Sequence, residues 1–416
     1  MHRTPNSAES AISRQSAWAP LRNQTFRKLW IAWLLANVCM VMCEVTAAWM
    51  MTVLSHRDLH VALVQTAATL PVLLMVLPFG AAVDMIDRRK WFFASQVWLS
   101  LSALCLAVSA AGDWLSPHVL LALVFANGIG MAMRWPAFVS IVPEVVSATH
   151  LSQALALHAM AVNVSRVVAP LLAGLMIAAF GGASAFASCV LLSLIGAKLI
   201  WDWQYSPDTT VRQSVPLWAS MKAGIRHALH TRPLIYAMIQ IFVGCLQVFA
   251  LVALLPAVAK RLDTGPGAGA YTWLMSCMGI GAIAMGLCMP LLKGKFHAQQ
   301  VATASSIAHV AAVFVLALSS NVWEAAAAML IAGGSWLVLG NAINVSAQLS
   351  LPNHVRARGM SIFMIAAMSG SAAGSSLFGA LADVMSAKGS LLILASIVLA
   401  LTWIVRRWPL YEHGSD

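Results

Sequence analysis

The sequence predicts an all-α membrane protein of twelve transmembrane helices in two six-helix bundles. Three observations predict it: repeated apolar runs of bilayer-spanning length, a composition of 60% hydrophobic and only 9% charged residues over 416 positions, and a one-sided placement of Lys and Arg. A soluble domain carries about 25% charged residues. With a mean hydropathy of +0.81, this chain lacks the polar surface needed to enclose an apolar core in water.

The runs follow in order. The first six are Leu29–Thr52, Ala62–Val83, Trp91–Ala111, Val119–Val139, Ala154–Phe180 and Ser184–Trp201; the second six are Leu234–Ala259, Ala270–Leu292, Val301–Ser319, Trp323–Val345, Met360–Val384 and Gly389–Val405. Each has the length a bilayer asks of a helix, about 17–25 residues. Lipid offers backbone groups no hydrogen bonds, so such runs must be helices or closed barrel strands, and these are about twice too long for strands. The tails are residues 1–28 and 406–416, and the longest internal polar stretch, residues 202–233, separates six runs from six. Within it Trp218, Met221, Ile225 and Leu229 recur at helical spacing. That pattern reads as an amphipathic helix on the membrane surface, with an ordinary solvated connector as the alternative.

Orientation follows from the basic residues. With twelve helices both termini share a side, and eighteen of the 25 Lys and Arg residues fall there, including Arg27, Lys28, Arg88, Arg89, Lys90, Arg406 and Arg407. The opposite loops hold Arg57, Lys260, Arg261 and Lys388, while Arg134, Arg166 and Lys198 lie inside runs. Both termini are therefore expected in the cytoplasm of a bacterial inner membrane. The net charge of +11 is a topology signal, and no nucleic-acid partner is expected.

All seven cysteines sit inside apolar runs and read as small apolar residues, with no metal site expected. The first run spans, so it is not the short core of a cleaved signal peptide. No nucleophile triad, phosphate loop or metal-ligand cluster is legible, so neither an enzyme nor a cofactor is expected.

Between the second and third runs the chain reads PFGAAVDMIDRRKW. The spacing of Gly80, Asp84, Arg88 and Arg89 resembles the G-x-x-x-D-x-x-x-R-R signature of the major facilitator superfamily. Physically, Gly80 permits close helix approach and Asp84 sits at a helix end within reach of the two arginines. The resemblance implies a latch that holds the second helix against the eleventh, starting near Gly359, on the cytoplasmic side. Met85 and Asp87 replace the basic residue and the glycine common at those places. Further stretches, RWPAFVSIVPEVV, NVSRVVAPLLAG and AQLSLPNHVRARGMSIFM, narrow the resemblance to the branch that includes the enterobactin exporter and the transmembrane secretion effectors. It covers nearly the whole chain and implies the major facilitator fold. The fifth run also resembles the Gly-Pro motif of superfamily antiporters, with Ala169 before Pro170 and Ala173 before Gly174. Pro170 is expected to bend this helix and Gly174 to pack at the interface between halves. Gly279, Gly281, Gly286, Gly370 and Gly374 read as packing faces.

An ionisable group deep in a span is a functional hypothesis by default. Glu44, in the outer part of the first helix, and Arg166, near the middle of the fifth, are candidate proton-coupling residues. Burial and a neighbouring charge both tune a carboxylate's proton affinity, so a conformational change can switch it. The alternative is a fixed charge that shapes substrate preference. Asn37, Asn127, Gln240, Gln247, Asn341 and Asn344 are candidate cavity residues, because the resemblance implies a central cavity lined by the first, fourth, seventh and tenth helices. Arg134 is read as structural, meeting Glu144 or Asp84. Glu324 and Asp383 read as solvated residues at outer helix ends.

The expected function is secondary active export of a small amphipathic molecule, such as a siderophore, drug or metabolite, by a monomer using proton antiport. A metabolite uptake carrier of the same fold and a non-transporting membrane sensor are the alternatives.

Overall fold

The computed structural model describes residues 18–147, 150–203, 231–263, 268–292, 296–351 and 356–411. The expected surface helix around Trp218–Leu229 and most of the N-terminal tail lie outside the described residues. Among the described residues the regular elements are all helical. A short 3-10 turn, Ala19–Arg22, leads into α1 (Gln24–Leu54), α2 (Asp58–Met85), α3 (Arg88–Ala111), α4 (Pro117–Val145), α5 (Leu151–Phe180), α6 (Gly182–Trp201), α7 (Arg232–Leu262), α8 (Gly269–Leu292), α9 (Ala298–Leu318) and α10 (Val322–Leu349). The last stretch, Arg356–Val405, holds 50 residues that are helical on either side of a break at Ser386.

A straight helix of that length would extend about 75 Å, more than twice the hydrocarbon thickness. It does not run straight. Ser386 adopts φ 80° and ψ 157°, and the Ser390 hydroxyl donates to the Phe378 carbonyl at 2.7 Å, a contact that requires the chain to fold back. Residues 356–385 are therefore α11 and residues 387–405 are α12. Among the described residues, eleven helical segments are long and apolar enough to cross a membrane; dividing the last gives twelve spans. The turn between α5 and α6 uses the same device. There Gly181 takes φ 80°, and the Ser184 hydroxyl reaches back to the Met176 carbonyl at 3.1 Å.

Glycine adopts that backbone region at no steric cost, whereas a residue with Cβ is strained there by about 1–3 kcal/mol. Ser386→Gly is therefore expected to stabilise the detergent-solubilised protein by about 1 kcal/mol. A thermal unfolding midpoint that stays put or falls would show that the hairpin carries no such strain.

Most helices outrun the apolar run that announced them, because their polar ends continue past the hydrocarbon. Caps show where they begin. The Asn23 side chain accepts from Thr25 N at 2.9 Å and Phe26 N at 3.3 Å to start α1. Asp87 accepts from Arg89 N at 2.9 Å and Lys90 N at 3.2 Å to start α3. Each cap satisfies amides that the helix cannot pair and is worth about 1 kcal/mol.

Toward the face that carries the chain ends, the basic face, each half has its own core. One includes Phe26, Trp33, Phe92, Ile141 and Ile200; the other includes Leu234, Ile241, Leu339, Phe363 and Leu410. Toward the opposite, outer face a single core joins both halves, from Met51 and Leu106 to Leu254, Leu316 and Leu391. Two glycine seams bring backbones together without intervening side chains. A Cβ on Gly281 of α8 would meet the Leu330 carbonyl of α10, and one on Gly333 of α10 would meet the Met278 carbonyl of α8. Gly370 and Gly374 of α11 stand likewise against the Phe242 and Leu246 carbonyls of α7.

Beyond α12 the chain lies back across the second half. The Trp408 carbonyl accepts from Gln240 Nε2 at 2.9 Å, Leu410 N donates to Gln299 Oε1 at 3.1 Å, and Tyr411 N donates to Ser346 Oγ at 2.7 Å.

Candidate functional site: the seam between the two halves

Glu44 lies ten residues before the outer end of α1, about 15 Å below it along the helix. It is half-buried and lines a cavity of about 20 Å³ with Val41 and Gln65 of the first half and Val252, Tyr271 and Met275 of the second. That volume holds one water molecule. On its other side Glu44 borders a cavity of about 10 Å³ with Asn127 and Met131. The acid thus sits at the seam, walled on one side by the opposing half.

Arg166 is placed midway along α5 and is exposed there despite its depth. Helical spacing puts it on one face with Leu155, Ala159 and Asn163, all of which lack a full packing cover. The lipid side of α5, marked by Met160, Val168, Leu171 and Leu175, points elsewhere. A Cβ on Gly279 of α8 would meet the Arg166 carbonyl, and Ser276 donates to the Val167 carbonyl at 3.3 Å. The arginine therefore faces the gap between halves, where α5 and α8 meet. Glu44 and Arg166 feel each other electrostatically. Among the described residues the only ion pair within 4 Å is a different one, Arg57 with Asp383.

The remaining expected residues divide. Among the described residues, Asn127 is buried beside Glu44 with its Nδ2 lacking a hydrogen-bond partner, and Gln247 is 1% exposed with neither amide atom paired. Asn37 is buried and donates to the Trp33 carbonyl of its own helix at 2.7 Å. Gln240 bonds Gln299 at 3.0 Å as well as Trp408, which ties it into the second half. Asn341 is exposed, and Asn344 accepts from Gln348 on the same helix. Pro170 and Ala169 are buried within α5, and Gly174 meets Thr272 of α8 across the halves.

Of the expected basic-face latch, Gly80 and Asp84 lie on α2, and the Asp84 side chain lies outside the described residues, as does that of Glu144. Arg89 directs its guanidinium to the Ile200 carbonyl at 3.3 Å and to the Trp201 carbonyl, at the end of α6. A cation there complements the helix dipole. Arg88 is half-buried at the start of α3. Arg134 is 1% exposed, stacks over the Trp33 ring at 4.7 Å and donates to Met131 Sδ at 3.1 Å. Its Nε and Nη1 have no hydrogen-bond partner among the described residues.

Sequence reasoning missed a lock on the outer face. Asp383 of α11, expected to be merely hydrated, accepts from Arg57 Nε at 3.1 Å and from Leu59 N at 2.8 Å, the first turn of α2. Farther in, Thr66 of α2 and Ser375 of α11 share a hydrogen bond of 2.7 Å. Lys260 of α7 donates to the Thr52 carbonyl of α1 and lies over the Trp49 ring, which also stacks on Tyr271. These contacts join the halves from the outer face to mid-depth, where the core is also shared. The only prior signal was the scarcity of charge on that side.

A family model described as transmembrane secretion effector matches residues 15–416. Among curated proteins, the staphyloferrin A transporter of Staphylococcus aureus (strain NCTC 8325 / PS 47) is 21% identical over 249 residues, 58% of this chain. The match spans 61% of that relative's length. Among solved structures, a bacterial homologue of the human lysosomal transporter Spinster, inward-facing and occupied, superposes with a TM-score of 0.76 at 14% identity, covering 95% of this chain and 99% of its own. A POT family transporter in complex with 5-aminolevulinic acid gives 0.75 at 13% identity, covering 93% and 96%. The nucleoside transporter NupG gives 0.72 at 14% identity, covering 93% and 100%.

Proposed function

The chain belongs to the transmembrane secretion effector family, membrane transporters with the major facilitator fold, and from that premise we propose that it exports a small amphipathic molecule, siderophores foremost, by proton antiport. The working unit is a monomer in the inner membrane of a bacterium, with both termini in the cytoplasm.

The observation that carries this reading is the position of Glu44. It belongs to one half, is walled by the other, and has Arg166 as its counter-charge at the mouth of the gap. When the halves part on the outer face, Glu44 meets outside water and takes up a proton. Neutralised, it is accommodated by Val252, Tyr271 and Met275, and the seam closes in the arrangement seen here. The basic-face opening then exposes Glu44 to the cytoplasm, where it gives up its proton, and admits substrate once the proton has left. Loss of the proton inward and reopening outward complete a cycle of alternating access. A siderophore suits the site because hydroxycarboxylate-type chelators present anionic groups on an amphipathic frame. The curated relative named for staphyloferrin A supports that class.

The test is transport of labelled staphyloferrin A, then a wider siderophore and drug panel, in everted vesicles under an imposed proton gradient. Wild type is expected to accumulate cargo, and Glu44→Gln to lose gradient-driven accumulation by at least about tenfold while keeping exchange of labelled for unlabelled cargo. Accumulation by intact cells instead of everted vesicles would reverse the direction. Unchanged pH-driven transport in the variant would remove the proton role from Glu44.

A further inference from the structure

We propose that Cys39, Cys43 and Cys189 form a binding site for one thiophilic monovalent metal ion, Cu(I), buried between α1 and α6. Cys39 and Cys43 stand one turn apart on α1, and Cys189 faces them from α6. The three Sγ atoms lie within 4.8 Å of one another and all three residues are buried. A metal–sulfur bond of about 2.3 Å would set three trigonal sulfurs about 4 Å apart, so small side-chain rotations close the set around an ion.

The backbone already holds the two helices at this spacing. Cys39 Sγ donates to the Cys189 carbonyl at 3.4 Å, Cys189 Sγ donates to the Cys39 carbonyl at 3.5 Å, and Cys39 Sγ lies 3.1 Å from Ser193 Oγ. The donor set is three soft sulfurs with no carboxylate or imidazole among them. Soft thiolates select Cu(I) or Zn(II). Zn(II) completes a tetrahedron with a fourth donor, and among the described residues no further Cys, His, Asp or Glu joins the three, whereas Cu(I) is content with three sulfurs.

Charge bears on the same site. Cu(I) bound by three thiolates carries two negative charges, and three protons leave as it binds. Arg134 offsets one of those charges. It is buried, feels Cys39 electrostatically, and offers two guanidinium nitrogens with no hydrogen-bond partner among the described residues. That leftover capacity is what a buried anionic centre beside it would satisfy. The site uses none of the groups assigned to transport at the seam, so its failure and the failure of the export reading are separable.

The experiment is an anaerobic titration of the purified full chain in detergent with Cu(I) alone, in competition with a chromogenic Cu(I) chelator, together with X-ray absorption of the loaded wild type. The expected result is one Cu(I) per chain in an all-sulfur, three-coordinate shell, with a raised thermal midpoint on loading. Removing a group that pairs with a metal's ligands costs about 10–100-fold in affinity. Arg134→Gln is expected to fall in that range, and each of Cys39→Ser, Cys43→Ser and Cys189→Ser to lose more. Exchanging the exposed Cys105 and Cys288 should change nothing. Wild type that takes up no Cu(I), a nitrogen- or oxygen-rich shell, or retention in the triple variant would overturn the site. Four-coordinate Zn(II) binding to the same three residues, tighter than Cu(I), would overturn the assignment of the ion. If the serine variants do not fold, the wild-type absorption shell alone decides.

Discussion

Gly333→Ala is expected to destabilise the protein by at least about 3 kcal/mol and to reduce the yield of well-dispersed material on size-exclusion chromatography. The added methyl would land on the Met278 carbonyl of α8, while Gly281 of α8 stands equally close to the Leu330 carbonyl of α10. A side chain in the way can rotate, but a backbone carbonyl held in a helix cannot. The two helices must separate along their contact, forfeiting the dispersion energy that drives association where lipid gives no hydrophobic preference. Gly340→Ala is the internal control. Its methyl would meet only the Trp336 ring, at 4.0 Å, and should leave stability within about 0.5 kcal/mol. A Gly333→Ala protein that melts with wild type would show that the helices do not approach this closely.

Asp383→Ala should have the largest effect on conformation. Arg57 is 64% exposed, so the ion pair alone contributes at most about 1 kcal/mol. The same carboxylate, however, is only 15% exposed and accepts the Leu59 amide at the start of α2, a charge-assisted bond worth about 1.5–3 kcal/mol. Losing both should raise the population open to the outer face by about 10–100-fold. Spin labels at His56 and Val384, exposed positions on either side of the lock, would report this as a new longer distance. Arg57→Ala should move the distribution only slightly, since Leu59 N still holds the acid. Identical distributions in wild type and Asp383→Ala would remove the lock from the mechanism.

The twelve spans were legible because lipid imposes one demand on every segment. Hydropathy alone found α1 through α12, including the α11–α12 division at Ser386. Helix ends were less legible: Val139 marked the end of an apolar run, yet α4 continues to Val145, because a helix does not stop where the hydrocarbon does. The seam acids and bases were half visible. Depth along a helix singled out Glu44 and Arg166, but only three-dimensional packing reveals that Tyr271 and Met275 of the other half close over Glu44. Gln240 shows the limit most clearly. A polar residue at membrane depth reads as a cavity residue, and its true partners, Gln299 and Trp408, are remote in sequence and invisible to pattern. The Arg57–Asp383 lock was hidden for the same reason, since its members are 326 positions apart.

The return of the chain across the second half also orders its biogenesis. Gln240 bonds a carbonyl made 168 residues later, and Ser346 is paired by an amide 65 residues downstream of it. The first half's own basic-face core, from Phe26 to Trp203, can settle while the ribosome is still working. The other bundle must wait, its amides hydrated or mispaired, until Trp408–Tyr411 emerge and are drawn into place, which makes those few residues the clasp that ends assembly.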